Sequence, residues 1–464
     1  MTDGPPLLVG VDVGTTRVKA GVIGLDGGEL TRAAVPTVWQ RRPTGAEARP
    51  DDFVHAVRDV LASALATAPP GQIVGVGITS MAETAVLVGR DGRALGPAVA
   101  WYDRRADGDV DEMERALTRE EVDRQTGLGL GPIPTVVMLR WLMRAHPELR
   151  RAVNVLSVAE WVVHSLGGAI AAEPSLASRT GALAIDGRQW WPDVIEWAGL
   201  PPTIFPALLP AGASWGAVRG GAGAFERLEG ATLTVAGHDH LAAAVGSGVT
   251  TASQVMDSCG TAEALVRAIP ADASRDPAQG LPRGIATGWH VLPDHHCLLA
   301  GLPLGIDLTP LLDRLDASHR GGRASLDDEA RAALDGRRAD DPTAVAARQW
   351  LAALQGTVSR ASASLRALED LGGPIAELRI SGGWAANPVL RRLKTDAFPN
   401  TVYPRVAEAG ARGAALLAGK AAGVFASVDA FPPAPLTDRP ATGPATTPAR
   451  PLTLSNQPNE SLLP

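Results

Sequence analysis

Apolar residues in the first part of the chain form short runs of strand length, separated by longer stretches with helical spacing. The runs Leu7–Val13 and Val18–Leu25 flank the small turn Gly14-Thr15-Thr16, a pattern that predicts a β-hairpin. A continuous apolar run over 72–80 is typical of a buried parallel strand, and 51–66 carries apolar positions at helical spacing. Strands that alternate with helices in this way predict an α/β protein whose mixed sheets are covered on both faces.

The hairpin pattern returns in the second half of the chain. Residues 254–267 read as strand, Gly260-Thr261 turn and strand, and a long helix over 343–371 follows. A further strand over 377–381 leads into Gly382-Gly383 and a helix that begins near Asn387. Two similar units half a chain apart indicate a duplicated fold that clamps one ligand between its halves.

Length and composition agree with two soluble domains. The chain has 464 residues, too many for one ordinary core, and Gly, Ser and Thr accumulate over 246–253, where we place the boundary. Hydrophobic residues make up 45% and charged residues 20%, as in a globular protein. After Phe431 the chain is rich in Pro, Thr and Ala without periodicity, and we expect a disordered tail over 433–464.

The charge pattern excludes some classes of partner. The formal net charge is −7 and the arginines are scattered, which argues against nucleic-acid binding. No run of about 18 apolar residues occurs, so we expect no membrane span. Two cysteines give no disulfide framework, and the first residues contain no basic region of a signal peptide. We therefore expect a cytoplasmic protein.

The two glycine turns suggest phosphate binding. A glycine turn lets backbone N–H groups approach a phosphate closely, and Asp12 at the base of the first hairpin could hold a hydrated Mg²⁺. Taken alone, the first element is equally a hairpin with a polar tip. The second turn, Gly260-Thr261, favours the phosphate interpretation.

Asp239 is the main candidate for catalysis. It lies where a strand (232–236) ends and an Ala-rich helix (241–245) begins, the place where α/β folds gather ligands. An aspartate before a helix is also an ordinary N-cap, and one carboxylate can serve both roles. His238 and His240 suggest zinc, but the sequence offers no third ligand at helical spacing, so we predict no zinc site.

A second cluster could bind hydroxyl groups. Glu83 and Asp103 each follow an apolar strand, and Trp101 offers a flat face to the carbon skeleton of a sugar or polyol. The alternative is that both acids are solvated turn residues. At Gly382-Gly383 the backbone could lie against a planar base whose edge Asn387 would hydrogen-bond, although such turns are common.

In this order the elements resemble the FGGY family of carbohydrate kinases, relatives of actin, hexokinase and the heat-shock-chaperone ATPases. The resemblance extends from Leu7 to Val424 and rests on five motifs: Asp12–Lys19, Trp101–Arg105, Gly237–Asp239, Gly260-Thr261 and Ser381–Asn387. It implies two similar actin-like (ribonuclease H-like) α/β domains, with mixed sheets flanked by helices and the active site in the cleft between them. Residues 1–247 would form the domain with the substrate site and the base, and 248–432 the nucleotide-binding domain.

The resemblance also implies roles for individual residues. Asp239 would be the catalytic base and would bind substrate, and Asp12 and Asp239 would hold Mg²⁺. The substrate site would be lined by Glu83, Trp101, Asp103 and Asp239. ATP would be bound by Gly14, Thr15, Thr16, Lys19, Gly260, Thr261, Gly382, Gly383 and Asn387.

The expected function is ATP-dependent phosphorylation of a hydroxyl of a small carbohydrate: a ketose, polyol or sugar acid. One alternative is a non-catalytic regulatory relative that binds ATP or sugar; a pure sensor needs no base, so Asp12 and Asp239 together count against it. Another is a filament-forming or chaperone-like ATPase, which needs no pocket for hydroxyls. No apolar stripe identifies a subunit interface, although homodimers are common in such families.

Overall fold

The computed structural model describes residues 4–220, 223–271, 281–318, 322–336 and 343–437. Residues 433–437 run beside 403–405, where Thr437 N donates to Tyr403 O at 3.0 Å. The rest of the tail that we predicted to be disordered, 438–464, lies outside the described residues.

The strands and helices of the first half begin with the predicted hairpin. The strands are β1 (Leu7–Val13), β2 (Arg17–Gly24), β3 (Glu29–Pro36), β4 (Gln40–Arg42), β5 (Gly45–Ala48), β6 (Ile73–Ser80), β7 (Ala85–Val88), β8 (Ala98–Val99), β9 (Asn154–Ser157), β10 (Leu183–Ala184), β11 (Gln189–Trp190) and β12 (Thr232–His238). The helices are α1 (Pro50–Ala66), α2 (Asp107–Ala116), α3 (Arg119–Thr126), α4 (Thr135–Ala145), α5 (Val158–Ser165), α6 (Pro174–Ser178), α7 (Pro192–Trp197) and α8 (Asp239–Gly246).

The second half repeats the hairpin and adds longer helices. Its strands are β13 (Gln254–Cys259), β14 (Glu263–Pro270), β15 (Ile285–Trp289), β16 (His295–Leu302), β17 (Glu377–Ser381) and β18 (Thr401–Val402). Its helices are α9 (Leu304–Ser318), α10 (Gly322–Leu334), α11 (Thr343–Gly372), α12 (Pro388–Ala397) and α13 (Ala409–Ala421).

Two central sheets share one topology. The first has the order β12-β6-β1-β2-β3 and the second β15-β16-β14-β13-β17-β18. In each, the hairpin and the strand beyond it are antiparallel, while the strands on the other side of the first hairpin strand run parallel to it. The predicted α/β class and duplicated architecture are therefore confirmed.

Apolar side chains build a separate core around each sheet. The first buries alternate positions of β1 and β2 against α1, whose apolar residues fall on one face as the sequence predicted. The second buries β13, β14 and β17 against α9, α10 and the long α11. In the described part of the chain, no helix combines the length and apolarity needed to cross a membrane.

Helix α13, near the end of the chain, packs back onto the first sheet. A Cβ on Gly10 of β1 would lie 1.8 Å from Ala411 O, and one on Gly77 of β6 would lie 2.0 Å from Ala414 O. The helix backbone therefore rests directly on these glycines, an approach that no larger residue allows. It also crosses α8, where a Cβ on Gly413 would lie 1.8 Å from Ala242 O.

Candidate active site

The tip of the first hairpin is held by its carbonyl groups. Gly14 O accepts from Thr37 Oγ1 (2.7 Å), Thr15 O from Trp39 Nε1 (2.7 Å) and Thr16 O from Thr37 N (3.0 Å). Because C=O and N–H point in opposite directions across a trans peptide, these contacts turn the N–H groups of the next residues away from Thr37 and Trp39. The tip is a shaped loop of the kind that binds an anion.

Asp12 lies at the end of β1, against the first turn of α13. A Cβ on Gly410 would lie 2.7 Å from Asp12 Oδ2, so only glycine leaves room for this carboxylate. Oδ1 is buried and accepts no hydrogen bond. Burial, and next the charge of Asp239, raise the pKa of Asp12 to about 7.

Asp239 is the first residue of α8, directly after β12. Its Oδ1 accepts from His240 N at 2.7 Å and lies 3.2 Å from His238 Nε2. Among the described residues, both of these contacts involve Oδ1, so they leave Oδ2 for another partner. Burial raises the pKa of Asp239 to about 7, and the charge of Glu83 adds to the shift.

A buried hydrogen-bond chain fixes the strand end before Asp239. Glu173 Oε2 accepts from Ser175 N (2.9 Å) and from the Ser175 hydroxyl (2.5 Å), and Ser175 Oγ in turn accepts from His238 N (3.0 Å). Thr79 Oγ1 donates to Gly237 O at 2.5 Å from the neighbouring strand. Because the end of β12 is hydrogen-bonded to both Ser175 and Thr79, Asp239 cannot shift without breaking buried contacts.

Glu83 follows β6, the strand beside β12, so that its charge acts on Asp239, and it pairs with Arg179. Nε and Nη2 of Arg179 each lie 2.6 Å from Glu83 Oε1, and the two side chains are 18% and 8% exposed, in the order arginine and glutamate. Glu83 has a φ of 62°, a strained conformation outside glycine, and Thr135 Oγ1 donates to its carbonyl (3.0 Å). Together, the strained backbone and the ion pair fix the orientation of the Glu83 carboxylate.

Trp101 joins the substrate candidates to the hairpin tip. Its Nε1 donates to Thr15 Oγ1 (2.9 Å) and its backbone N–H donates to Thr84 Oγ1 (3.1 Å). The side chain is 38% exposed. The predicted phosphate turn and the predicted hydroxyl site are thus one continuous surface.

Three candidates make internal contacts that the sequence did not predict. Both oxygens of the buried Asp103 accept from the Arg105 guanidinium, at 3.0 and 2.8 Å. Lys19 Nζ lies 2.8 Å from Glu408, the residue before α13. Asn387 caps α12, since its Oδ1 accepts from the N–H groups of residues 389 and 390, and its amide donates to Asp327 Oδ1 (2.8 Å).

The second glycine turn mirrors the first. Ile306 N donates to Thr261 O at 2.9 Å, and a Cβ on Gly305 would lie 2.8 Å from Gly260 O. The carbonyls of this turn therefore face the start of α9. Gly382, with a φ of 95°, lies against the same strand end, since a Cβ there would lie 2.5 Å from Cys259 O.

The residues fit a magnesium ion at Asp12 and Asp239. Mg²⁺ prefers carboxylate oxygens, and Asp12 offers a buried oxygen without a donor beside a second carboxylate. Burial is the largest cause that raises both pKa values, and the charge of Asp239 adds to the shift of Asp12; a divalent cation would favour the ionised form of both carboxylates. The ring nitrogens of His238 and His240 lie within 4.8 Å of an Asp239 oxygen, so Asp239 could supply the third zinc ligand that the sequence lacked at helical spacing.

Two residues of the candidate site were not predicted from the sequence. Arg179 follows the short helix α6, and Glu408 precedes α13 near the end of the chain. Neither belongs to a glycine turn or ends an apolar run. Only the tertiary fold brings Arg179 to Glu83 and Glu408 to Lys19.

Comparison with known proteins matches both halves of the chain to one family. Residues 7–246 match the N-terminal domain of the FGGY family of carbohydrate kinases, and 315–422 match its C-terminal domain. The chain is 28% identical over 468 residues to a glycerol kinase of Aromatoleum aromaticum, covering 91% of each. It is 27% identical over 270 residues to an L-fuculokinase of Escherichia coli, covering 57% of each.

Solved structures share the fold of the whole chain. A xylulose kinase from Rhodospirillum rubrum superposes with a TM-score of 0.83 at 22% identity, covering 94% of each chain. A glycerol kinase from Plasmodium falciparum, solved with ADP, has a TM-score of 0.80 at 16% identity and covers 93% of this chain and 94% of that one. At these identities the likeness establishes the two-domain actin-like fold.

Proposed function

The chain belongs to the FGGY family of carbohydrate kinases, which are phosphotransferases with an alcohol acceptor, and we propose that it phosphorylates a neutral polyol or ketose with Asp239 as base. The observation that carries this proposal is the carboxylate of Asp239, held by buried bonds and facing the Glu83–Arg179 pair. FGGY kinases use ATP, and the two glycine turns are where we place its phosphates.

The acceptor would bind between Glu83, Arg179 and Trp101. A carboxylate beside a guanidinium accepts a hydrogen bond from one hydroxyl while the guanidinium donates to the next, and the exposed indole face covers the carbon chain. Buried polar groups that a wrong sugar leaves unpaired would penalise it, which gives selectivity. We assign Asp103 to shaping the loop that carries Trp101, through Arg105.

The charges of the cleft favour a neutral acceptor over a sugar acid. The Arg179 charge is already matched by Glu83, and Lys19 is paired with Glu408. Asp12 and Asp239 add negative charge, and burial lowers the pKa of His240, which keeps that ring neutral. An aldonate would meet repulsion without a free cation among these groups.

Asp239 would orient the attacking hydroxyl and take its proton. Its Oδ2 would accept the hydroxyl hydrogen, and the raised pKa makes the carboxylate a better base than an ordinary aspartate. Proton transfer would come late, because phosphoryl transfer depends mainly on in-line positioning and charge stabilisation.

The backbone N–H groups of the two turns would hold the phosphoryl oxygens, with Thr15 and Thr16 on one side and Thr261 on the other. Gly260 would shape the second turn, because its N–H already donates to Ala262 O at 3.1 Å. Gly382 and Gly383 would lie against the adenine; Asn387 would act there by capping α12, because its amide is already bonded. Asp12 and Asp239 would hold Mg²⁺, which neutralises phosphate charge when bound. We place this reaction in the cytoplasm.

The test is ADP formation from Mg·ATP with glycerol, D-xylulose, L-fuculose and D-gluconate as acceptors. We expect turnover with a neutral acceptor and at least a ~100-fold loss of kcat in Asp239→Asn. Asp111→Asn, on the exposed side of α2, is the matched control and should keep native activity. Native-like turnover by Asp239→Asn would refute the base, and a preference for gluconate would refute the neutral acceptor.

A further inference from the structure

A buried ion cluster lies directly beneath the second glycine turn. Lys394 Nζ of α12 contacts both Asp257 Oδ2 of β13 and Glu263 Oε1 of β14. The lysine side chain is 2% exposed and each carboxylate 1%. Charged groups are rarely buried so completely, and this cluster lies outside the residues assigned to the reaction above.

The two carboxylates occupy the strands that close the turn. Glu263 is the register partner of Cys259, the last residue of β13, and Asp257 precedes Cys259 by two positions. Side chains two apart on a strand, and directly opposite across it, point to the same face of a sheet. The hairpin therefore presents Asp257, Cys259 and Glu263 together on one face, just before and after Gly260-Thr261.

This arrangement would be repulsive without the lysine. Like charges on neighbouring strands destabilise the pairing, more so in a dry interior. Even beside Lys394, burial and then the charge of Asp257 raise the pKa of Glu263 to about 7. The cation is what allows the two strand ends to remain paired at the turn.

Lys394 also connects the two segments that we assign to ATP. Its helix, α12, is capped by Asn387 and follows directly on the Gly382-Gly383 segment. Gly382 in turn touches the Cys259 backbone at the base of the turn. One buried side chain thus links the helix after the adenine segment to both strands of the phosphate turn.

We propose that Lys394 is a positioning residue for ATP, which holds the Gly260-Thr261 turn in register with the Gly382-Gly383 segment through Asp257 and Glu263. The inference rests on the proposed placement of ATP at these two segments. Lys394 acts through the turn and has no contact with the carbohydrate site, so its loss weakens ATP binding and leaves acceptor binding unchanged.

The chain offers a matched control in the same hairpin. Arg267 of β14 is a second buried cation, 1% exposed, and donates to the carbonyls of Ala252, Leu368, Gly372, Gly373 and Pro374. It pairs in register with Val255, at the end of the hairpin away from the turn. Arg267→Met removes a buried cation from the same strands without touching the phosphate turn.

The experiment measures KM for ATP, KM for the acceptor, ADP affinity by calorimetry and melting temperature. In Lys394→Met we expect the KM for ATP and the Kd for ADP to rise at least tenfold, with the acceptor KM within twofold of native. Arg267→Met should lower the melting temperature while the KM for ATP stays within twofold. Lys394→Met leaves the carboxylates of Asp257 and Glu263 without their cation, so the single variant is exposed to unfolding. The double variant Lys394→Met/Glu263→Gln removes the repulsion between them. If the single variant does not fold, the same measurements on the double variant test the proposal.

The outcomes separate the two proposals. If ATP and ADP values in the folded variant stay within twofold of native, or if Arg267→Met raises them equally, Lys394 is only structural and the inference is wrong. If the native chain shows no acceptor-dependent ADP formation, the proposed function fails, and ADP calorimetry still tests Lys394. Absence of ADP binding to the native chain would overturn both.

Discussion

At the scale of single residues, the cleft combines two carboxylates whose pKa values are both raised, with burial as the largest cause. Asp12 and Asp239 are each raised to about 7. Their surroundings differ, because Asp12 Oδ1 accepts no hydrogen bond whereas Asp239 Oδ1 is bonded to His240 N. Asp12 therefore suits the binding of a cation, and Asp239 suits the acceptance of a proton.

The rate should therefore depend on pH near neutrality. A base must be ionised, and a pKa raised to about 7 means that Asp239 loses its proton only as the pH approaches 7. We expect kcat/KM for Mg·ATP, which reports the pKa values of the chain before Mg·ATP binds, to rise between about pH 5.5 and 8.5 with a midpoint near 7, measured at saturating acceptor. In Glu83→Gln the charge that adds to the shift of Asp239 is gone, so the midpoint of the remaining activity should move to lower pH. A flat profile, or an unmoved midpoint in the variant, would contradict this account.

A second residue-scale prediction concerns Arg179. In Arg179→Met the Glu83 carboxylate loses its partner, and we expect the acceptor KM to rise at least ~10-fold with the ATP KM unchanged. Arg188→Met is the control, since Arg188 pairs with the exposed Asp294 at 3.4 Å and stacks on Trp289, neither of which we assign to the acceptor. Steady-state kinetics for both substrates provide the measurement. An equal rise of the acceptor KM in the two variants would show that Arg179 does not bind the acceptor.

These residues also show the reach of sequence reasoning. Asp12 and Asp239 could be proposed because Asp12 lies near the end of a strand before a turn and Asp239 directly follows a strand, local patterns that the sequence displays directly. Arg179 and Glu408 could not, because an ion pair between distant segments leaves no local pattern. Asn387 was located correctly at a helix start, but its amide is bonded to Asp327, 60 positions away in sequence.

At the scale of elements, glycine at the crossing of α8 and α13 is a steric requirement. A Cβ on Gly413 would lie 1.8 Å from Ala242 O and 3.0 Å from Gly246 N, both of them backbone atoms that cannot rotate away. Gly413→Ala must therefore push the helices apart, at a cost of about 3 kcal/mol or more, at or above the upper end of the usual range for overpacking.

The prediction has a matched control in another helix. Gly356 of α11 faces open space, since the nearest atom to a Cβ placed there is Arg360 Nη1 at 3.9 Å. Gly356→Ala should therefore stabilise the fold by about 0.5–1 kcal/mol, because alanine loses less backbone entropy in a helix. Unfolding in urea gives both values. Equal effects of the two substitutions would mean that α8 and α13 do not approach as closely as described.

Element prediction succeeded where the apolar pattern is long and failed where packing decides. The two hairpins appear as predicted, and the helices predicted over 51–66 and 343–371 appear as Pro50–Ala66 and Thr343–Gly372. Strand β9 (Asn154–Ser157) was not predicted, because four residues paired with β7 are too few to show a period. Helix α13 was not predicted, since it is rich in Ala and Gly and buried over most of its length.

At the scale of the molecule, two copies of one sheet topology enclose the site, and α13 ties the end of the chain to the first sheet. The duplication could be predicted because both copies carry the same Gly-Thr turn. The contacts between the two halves could not be predicted. For example, Thr287 N of β15 donates to Gly127 O (2.8 Å), and no periodicity in the sequence indicates this bond.

The molecule as a whole buries several acids, and its stability should fall as the pH rises. Burial is the largest cause that raises the pKa of Glu160, Glu173 and Glu263 to about 7, as it does for Asp12 and Asp239. Each acid holds its proton in the folded chain at a pH where the unfolded chain has released it, so the folded state binds more protons. These acids by themselves make the free energy of unfolding decrease with pH between the unfolded values, at about 4, and about 7. Burial lowers the pKa of four histidines, so that they stay neutral in the folded chain and oppose the acids below the unfolded histidine value of about 6.5: His238, His240, His290 and His296.

We expect a net decrease of about 1 kcal/mol per pH unit or more from about pH 6 to 7, where the histidines of the unfolded chain lose their protons, measured by urea unfolding at fixed ionic strength. Above about pH 7 it should level off as the folded carboxylates ionise. Glu160→Gln removes one of these groups and should flatten the slope whatever it does to the absolute stability, because glutamine does not titrate. A free energy of unfolding that rises with pH over this window would mean either that the buried histidines outweigh the acids or that the acids are ionised in the folded chain, with depressed rather than raised pKa values. In the second case Glu160→Gln would leave the slope unchanged. The internal hydrogen bonds of Glu160 and Glu173 would then outweigh the cost of burying their charge.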